Sequence, residues 1–160
     1  RINFDALLLT ELRAQAQARK VDWAVVLQAD AAERTSRHWT NLQRLVQRTL
    51  PALRTALLHS HQPILLVCAG LLARYGLMHL VTELEENAGR PGHTPSAWLL
   101  LPTSAQGLPT IDGVAVPLVN NINNTRALAL PQAWVENKHR AKTGPHTASP
   151  AGSHASPSAA

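Results

Sequence analysis

The stretch that decides the fold is Pro63-Ile64-Leu65-Leu66-Val67-Cys68, a continuous apolar run that Gly70 follows. A run of this length between turn-forming residues is typical of a strand buried on both faces of a parallel sheet. A second run, Ala97-Trp98-Leu99-Leu100-Leu101, has the same character and is closed by Pro102. The intervening segment, 71–87, has helical spacing. The sequence therefore predicts an α/β fold in which parallel strands are joined by helices.

Two helical segments are predicted upstream of the first run. Apolar residues recur at helical spacing over 7–19, and Asn3 or Asp5 is well placed as the N-cap. A longer apolar stripe, at steps of three or four residues, covers 36–59. Because proline lacks the backbone N–H and clashes with the preceding turn, Pro51 predicts a kink or a junction of two helices there.

Further strands are predicted on either side of the two apolar runs. The segment 21–30 is rich in Val, which favours a strand, although its length and its lack of Gly and Pro also allow a helix. The dipeptide Asp112-Gly113 predicts a turn before an edge strand over 114–119. Together these elements predict a small, mainly parallel sheet of three or four strands with helices on both faces.

The length and composition favour one folded domain. The chain has 160 residues, of which 45% are hydrophobic. We expect an α/β domain over 1–140 and a disordered tail over 141–160, where no large apolar side chain occurs. The chain begins with Arg1 rather than Met, so we expect a piece of a larger protein. No signal-peptide pattern is present, which leads us to expect a cytoplasmic location and no membrane association.

Several kinds of chemistry are missing from the sequence. Neither G-x-x-x-x-G-K-[ST] nor G-x-G-x-x-G occurs, and the motifs of protein kinases, serine hydrolases and zinc proteases are absent as well. The single cysteine, Cys68, excludes an internal disulfide framework and a Cys-based zinc finger. We therefore predict no catalytic residue, no metal site and no cofactor of this chain's own.

Asp30 and Arg74 are the candidate nucleotide-binding residues. Asp30 ends the predicted strand 21–30, where a P-loop ATPase places a carboxylate that helps to hold Mg²⁺. The chain would then be an incomplete, P-loop-ATPase-like half whose phosphate loop lies upstream of Arg1. Arg74 follows Gly70 at a predicted helix start, where backbone amides could accept an anion. For both residues the alternative is ordinary packing and capping.

A cluster of arginines is the second candidate site. Between Arg34 and Arg74 there are six arginines and no acidic residue, and the net charge is +5. Arg37, Arg44 and Arg48 would share one helix face, which could pair with phosphates or carboxylates. The cluster predicts binding of nucleic acid or of an acidic partner. The alternative is a solvated face, or one that pairs with the acids of another domain.

Several phrases of the sequence resemble one bacterial family over about residues 5 to 140. They include Asp22-Trp23, Asn41-Leu42, Gly70-Leu71-Leu72-Ala73-Arg74-Tyr75-Gly76, Leu108-Pro109-Thr110-Ile111-Asp112-Gly113 and Ala133-Trp134. These phrases are similar to the C-terminal region of the large serine/threonine kinase of phage-growth-limitation (BREX type 2) defence systems. The resemblance implies a parent kinase that uses ATP and Mg²⁺ and works with other defence-system proteins. It carries over no catalytic residue, since no kinase motif occurs here.

Three hypotheses follow. The first is a non-catalytic or incomplete C-terminal module of an anti-phage defence kinase, acting in regulation or protein interaction. The second is the second half of a P-loop ATPase core. The third is a basic module that binds nucleic acid such as DNA.

Overall fold

The computed structural model describes residues 1–102, 109–116, 128 and 130–136. The chain divides into two compact units, Arg1–Val119 and Asn120–Ala160. The predicted tail over 141–160, and the predicted domain end at 140, lie outside the described residues. The elements, in chain order, are β1 (Ile2–Asn3), α1 (Phe4–Ala18), α2 (Trp23–Ala31), α3 (Arg37–Gln47), α4 (Leu50–Leu58), β2 (Ile64–Val67), α5 (Gly70–Arg74), α6 (His79–Asn87), β3 (Ala97–Leu99), β4 (Thr110–Ile111), β5 (Val114–Ala115) and α7 (Gln132–Val135).

A small parallel sheet has the strand order β1-β2-β3. Its register places Ile2 opposite Leu66, and Leu65 opposite Trp98. The α/β class and the mainly parallel sheet are therefore confirmed. The prediction that both faces of the two apolar runs are buried is wrong, because Leu65 is 40% exposed and Trp98 is 59% exposed.

The segment 21–30 is helical, so its prediction as a strand is wrong. Asp22 caps α2, with its carboxylate accepting a hydrogen bond from the Ala24 N–H at 2.9 Å. Val26 and Ala29, three residues apart, are the buried residues of this helix. The cap and this helical packing outweigh the strand preference of the valines. The third strand of the parallel sheet is instead β1.

The stripe over 36–59 forms two helices, as Pro51 predicted. The Ser36 hydroxyl caps α3 by accepting a hydrogen bond from the Trp39 N–H at 3.1 Å. Pro51 lies in the first turn of α4, where its missing N–H leaves no helical hydrogen bond unmade. Asn3 likewise caps α1, with its side chain accepting from the Ala6 N–H at 3.0 Å.

The segment 71–87 forms α5 and α6 rather than one helix. Gly76 adopts a φ of 70°, and the Leu77 N–H donates to the Leu72 carbonyl at 2.7 Å. This is the hydrogen bond that closes a helix with a left-handed glycine after its last turn. Leu72 and Leu77 are both fully buried, which supplies the apolar contact that accompanies such an ending. Gly89 follows Ala88, the C-cap of α6, with a φ of 83°.

One hydrophobic core joins the helices to the sheet. Its largest fully buried apolar side chains are Phe4, Leu8, Leu12, Val46, Leu53, Leu57, Leu66, Leu72, Leu77 and Leu80. Burial of each such side chain stabilises the fold by about 1.5–3 kcal/mol relative to an exposed position. Asp112 and Gly113 form the predicted turn between β4 and β5, with φ values of 47° and 76°. Of the predicted edge strand 114–119, residues 117–119 lie outside the described residues.

Candidate functional site: an arginine-lined groove

Asp30 and Arg74, the two candidate nucleotide-binding residues, contact each other. Arg74 Nε donates to Asp30 Oδ1 at 2.8 Å, and Nη2 donates to Oδ2 at 2.9 Å. The hydroxyl of Tyr75 donates to Oδ1 at 3.0 Å. The Tyr75 ring stacks on Trp39, with 5.9 Å between ring centroids. A bidentate ion pair therefore joins α2 to α5, which are far apart in the sequence.

The protonation state of this cluster follows from its contacts. Partial burial raises the pKa of Asp30, but hydrogen bonds from Arg74 and Tyr75 outweigh it, and the pKa lies below the ordinary value. Burial and the hydrogen bond to Asp30 raise the pKa of Tyr75 to about 12. At neutral pH the cluster therefore holds a carboxylate, a guanidinium and a neutral phenol.

These contacts change the premise of the nucleotide-binding prediction. Asp30 lies near the end of helix α2, not at the end of a strand. Both oxygens of its carboxylate already accept hydrogen bonds. A Mg²⁺ ion would have to displace Arg74 from them. The nucleotide role of Asp30 and Arg74 remains a prediction, and the geometry shows an ion pair between helices.

The start of α5 carries negative rather than positive neighbours. The Asp5 carboxylate accepts a hydrogen bond from the Leu71 N–H at 3.0 Å. A Cβ atom placed on Gly70 would lie 3.5 Å from a carboxylate oxygen of Asp112 and 3.7 Å from one of Asp5. Burial, opposed by the Leu71 hydrogen bond and reinforced by the charge of Asp112, raises the pKa of Asp5. This helix start is therefore occupied by the chain's own carboxylate.

A groove of about 350 Å³ opens along α2 and α3. Its apolar lining consists of Val21, Val25, Val26, Ala29, Leu42 and Leu45. Its polar lining consists of Arg19, Arg44, Arg48 and Asn41. Arg19 is the C-cap of α1 and Arg48 the C-cap of α3, so ends of two helices place guanidinium groups beside the groove. An apolar floor beside three cations can hold a ligand that is apolar on one face and anionic at its margin.

The structure separates the predicted arginine cluster. Arg44 and Arg48 line the groove, whereas Arg37, the first residue of α3, does not. Sequence reasoning missed Arg19, because the segment after it was predicted as a strand. The sequence does carry one indication of this site. Segment 23–31 is apolar on nearly all sides when helical, and such a helix is ordinarily packed against other elements on more than one side.

The open face of the parallel sheet is a second exposed apolar surface. Leu65 and Trp98 lie side by side on β2 and β3, and Leu100 is exposed just beyond β3. The groove has arginines that would select a partner by charge, whereas Leu65, Trp98 and Leu100 are all uncharged. Among the described residues, none of the helices combines the length and the apolar character that a bilayer crossing requires.

One comparison finds a similar protein. The Streptomyces coelicolor protein named "Probable kinase PglW" is 29% identical to this chain over 154 aligned residues. The match covers 88% of this chain and 10% of that protein. It confirms the resemblance to a phage-growth-limitation kinase. The chain spans about a tenth of that kinase. No protein-family model matches the chain. No solved structure matches it either.

Proposed function

We propose that the chain is a non-catalytic module of a bacterial anti-phage defence kinase and acts by protein interaction in the cytoplasm. The observation that carries the proposal is the similarity to "Probable kinase PglW" over 88% of the chain, without a kinase or phosphate-loop motif in it. Since the match covers 10% of that protein, catalysis with ATP and Mg²⁺ is assigned to other parts of the parent kinase.

The geometry supports interaction rather than nucleotide binding. The carboxylate of Asp30 is held by Arg74 and Tyr75, and the start of α5 is neutralised by Asp5. By contrast, the chain exposes two apolar surfaces, the arginine-lined groove and the open sheet face. A protein partner would cover the apolar side chains that lie together at these surfaces, such as Leu65 beside Trp98. The partners we propose are other proteins of the same defence system.

The test uses a parent kinase that carries this module, in a host with the complete defence system. We expect deletion of the module to abolish phage restriction, while the purified deletion variant still autophosphorylates. We also expect the purified 160-residue chain to bind no ATP in the presence of Mg²⁺ by calorimetry. Loss of autophosphorylation in a folded deletion variant would contradict the proposal. Binding of ATP to the purified chain, abolished by the substitution Asp30→Asn, would also contradict the proposal. It would favour the hypothesis that the chain is the second half of a P-loop ATPase core.

A further inference from the structure

Helix α2 is too apolar for its degree of exposure. Its sequence, Trp23-Ala-Val-Val-Leu-Gln-Ala-Asp-Ala31, contains one charged residue. Val25 is 49% exposed and Leu27 is 55% exposed, on different sides of the helix. A helix that is apolar all round is ordinarily covered on all sides. α2 therefore presents apolar surface that the described part of the chain leaves uncovered.

The charges beside the groove indicate which kind of segment can bind over the side of α2 that carries Val25. Among the described residues that line the groove, three are arginines and none is acidic. A basic or neutral apolar segment would leave these guanidinium groups beside a desolvated contact without partners, which is unfavourable. A segment with carboxylates at its margin would pair with them. The occupant should therefore be apolar on one face and acidic along its edges.

The shape of the groove favours a helix as that occupant. α2 has nine residues, so the groove runs about 14 Å, or between two and three helical turns. That length suits an amphipathic helix that inserts apolar side chains at positions i, i+3 or i+4, and i+7. A nucleic acid fits less well, because the lining is aliphatic and includes no aromatic ring on which a base could stack.

We propose that the groove between α2 and α3 is a docking site for an acidic amphipathic helix of a partner protein. Val21 and Val25 are the exposed apolar lining residues and receive its apolar face, above a buried floor of Val26, Leu42 and Leu45. Arg19, Arg44 and Arg48 pair with its carboxylates. The inference rests on the proposed interaction role, since it names the surface and the partner chemistry for that role.

The experiment selects ligands for the full 160-residue chain from a displayed library of randomised helical peptides of about 14 residues, which exceed the groove because shorter isolated helices are marginal in water. We expect the selected peptides to carry apolar residues at helical spacing flanked by Asp or Glu. Calorimetry then measures their affinity for two groove variants, Val25→Asp and the double variant Arg44→Glu/Arg48→Glu. We expect each variant to bind at least roughly tenfold more weakly. Circular dichroism establishes that each variant is folded.

Two matched controls lie on the same helices but outside the groove. Leu27→Asp places the same charge on another side of α2, and Arg37→Glu reverses a charge on α3 that does not line the groove. Both should bind the selected peptides within about twofold of the original chain, because distant surface sites act independently. Peptides in which Lys replaces Asp and Glu should regain affinity for the Arg44→Glu/Arg48→Glu variant.

The proposal is overturned if no peptide is enriched, if the selected peptides are not acidic, or if they bind Val25→Asp as well as the original chain. A second result would also overturn it: duplex DNA binds the original chain, binds the Arg44→Glu/Arg48→Glu variant more weakly, and binds Val25→Asp with unchanged affinity. That result would assign the arginines to nucleic-acid binding. These failures are distinct from failure of the proposed function. If the groove variants fail this test but the deletion variant autophosphorylates and no longer restricts phage, the proposed interaction role stands. Another surface of the chain would then carry that role.

Discussion

Removing the ion pair between Asp30 and Arg74 should weaken the docking of α2 onto α5 by a measurable amount. The pair is bidentate, and the side chains of Arg74 and Asp30 are 37% and 30% exposed. A fully exposed pair contributes about 0.2–1 kcal/mol, and a hydrogen bond to a charged group about 1.5–3 kcal/mol. Since this pair is partly screened by solvent, we expect a coupling energy of about 1–2 kcal/mol.

The assay is a double-mutant cycle with Asp30→Asn and Arg74→Met, measured as the free energy of unfolding in urea by circular dichroism. The pKa of Asp30 is lowered from 3.8 in the folded state, so the folded state favours the ionised carboxylate. The stabilisation is therefore fully present above about pH 3.8 and is lost as the pH falls through the folded-state pKa. We expect the same coupling energy at pH 7 and pH 5, and a decrease only in stronger acid.

A matched comparison is the pair formed by Arg54 and Glu83, which is also bidentate, at 2.8 and 2.7 Å. Its exposure is similar, but among the described contacts only the Asp30 carboxylate also accepts a hydrogen bond from a tyrosine hydroxyl, so the coupling energy of Arg54 and Glu83 should be equal or smaller. A coupling energy for Asp30 and Arg74 below about 0.3 kcal/mol would refute the reasoning, since it would lie at the low end of what fully exposed pairs contribute. A coupling energy that fades between pH 7 and pH 5 would refute it as well.

Three further substitutions test individual contacts by urea or thermal unfolding. Asp112→Asn should stabilise the chain by about 0.5 kcal/mol at pH 7, because Asn suits the left-handed turn and no longer repels Asp5. The part of the gain that comes from Asp5 should be absent below about pH 3.8, where Asp5 is protonated, and a lower melting temperature at pH 7 would contradict the prediction. Thr94→Val should destabilise the chain by about 2 kcal/mol, because the buried hydroxyl donates to the Leu57 carbonyl at 2.6 Å and accepts from the Ser60 N–H at 3.1 Å. An unchanged urea midpoint would contradict this prediction. Ser36→Ala should lower the free energy of unfolding by about 1 kcal/mol through loss of the α3 cap, whereas Ser36→Asp should retain most of it because Asp also caps helices. Equal losses in both variants would argue against a capping role for Ser36.

The strands β2 and β3 were predictable because short apolar runs between turn residues have few other structures open to them. The strand β1 was not predictable, since two residues show no periodicity and pair only because Leu66 and Val67 lie beside them. The segment 21–30 was predicted wrongly because local preference favoured a strand, whereas the Asp22 cap and packing through Val26 decided for a helix.

The candidate site was predictable only in part. Helical spacing alone placed Arg44 and Arg48 on one face of α3. The contribution of Arg19 depends on how α1 and α2 meet, which no local pattern encodes. The contact of Asp30 with Arg74 joins residues 44 positions apart, and a sequence pattern does not show which distant charges will meet.

The pairing of β1 with β2 has a consequence for how the molecule assembles. All of α1 to α4 lies between these two adjacent strands, so their hydrogen bonds join parts of the chain separated by residues 4–63. Closing such a loop costs entropy before any ladder contact forms. We therefore expect the helices to gather first and β1 to add to the sheet late. Amide protons of β1 should accordingly exchange with solvent sooner than those of the central strand β2.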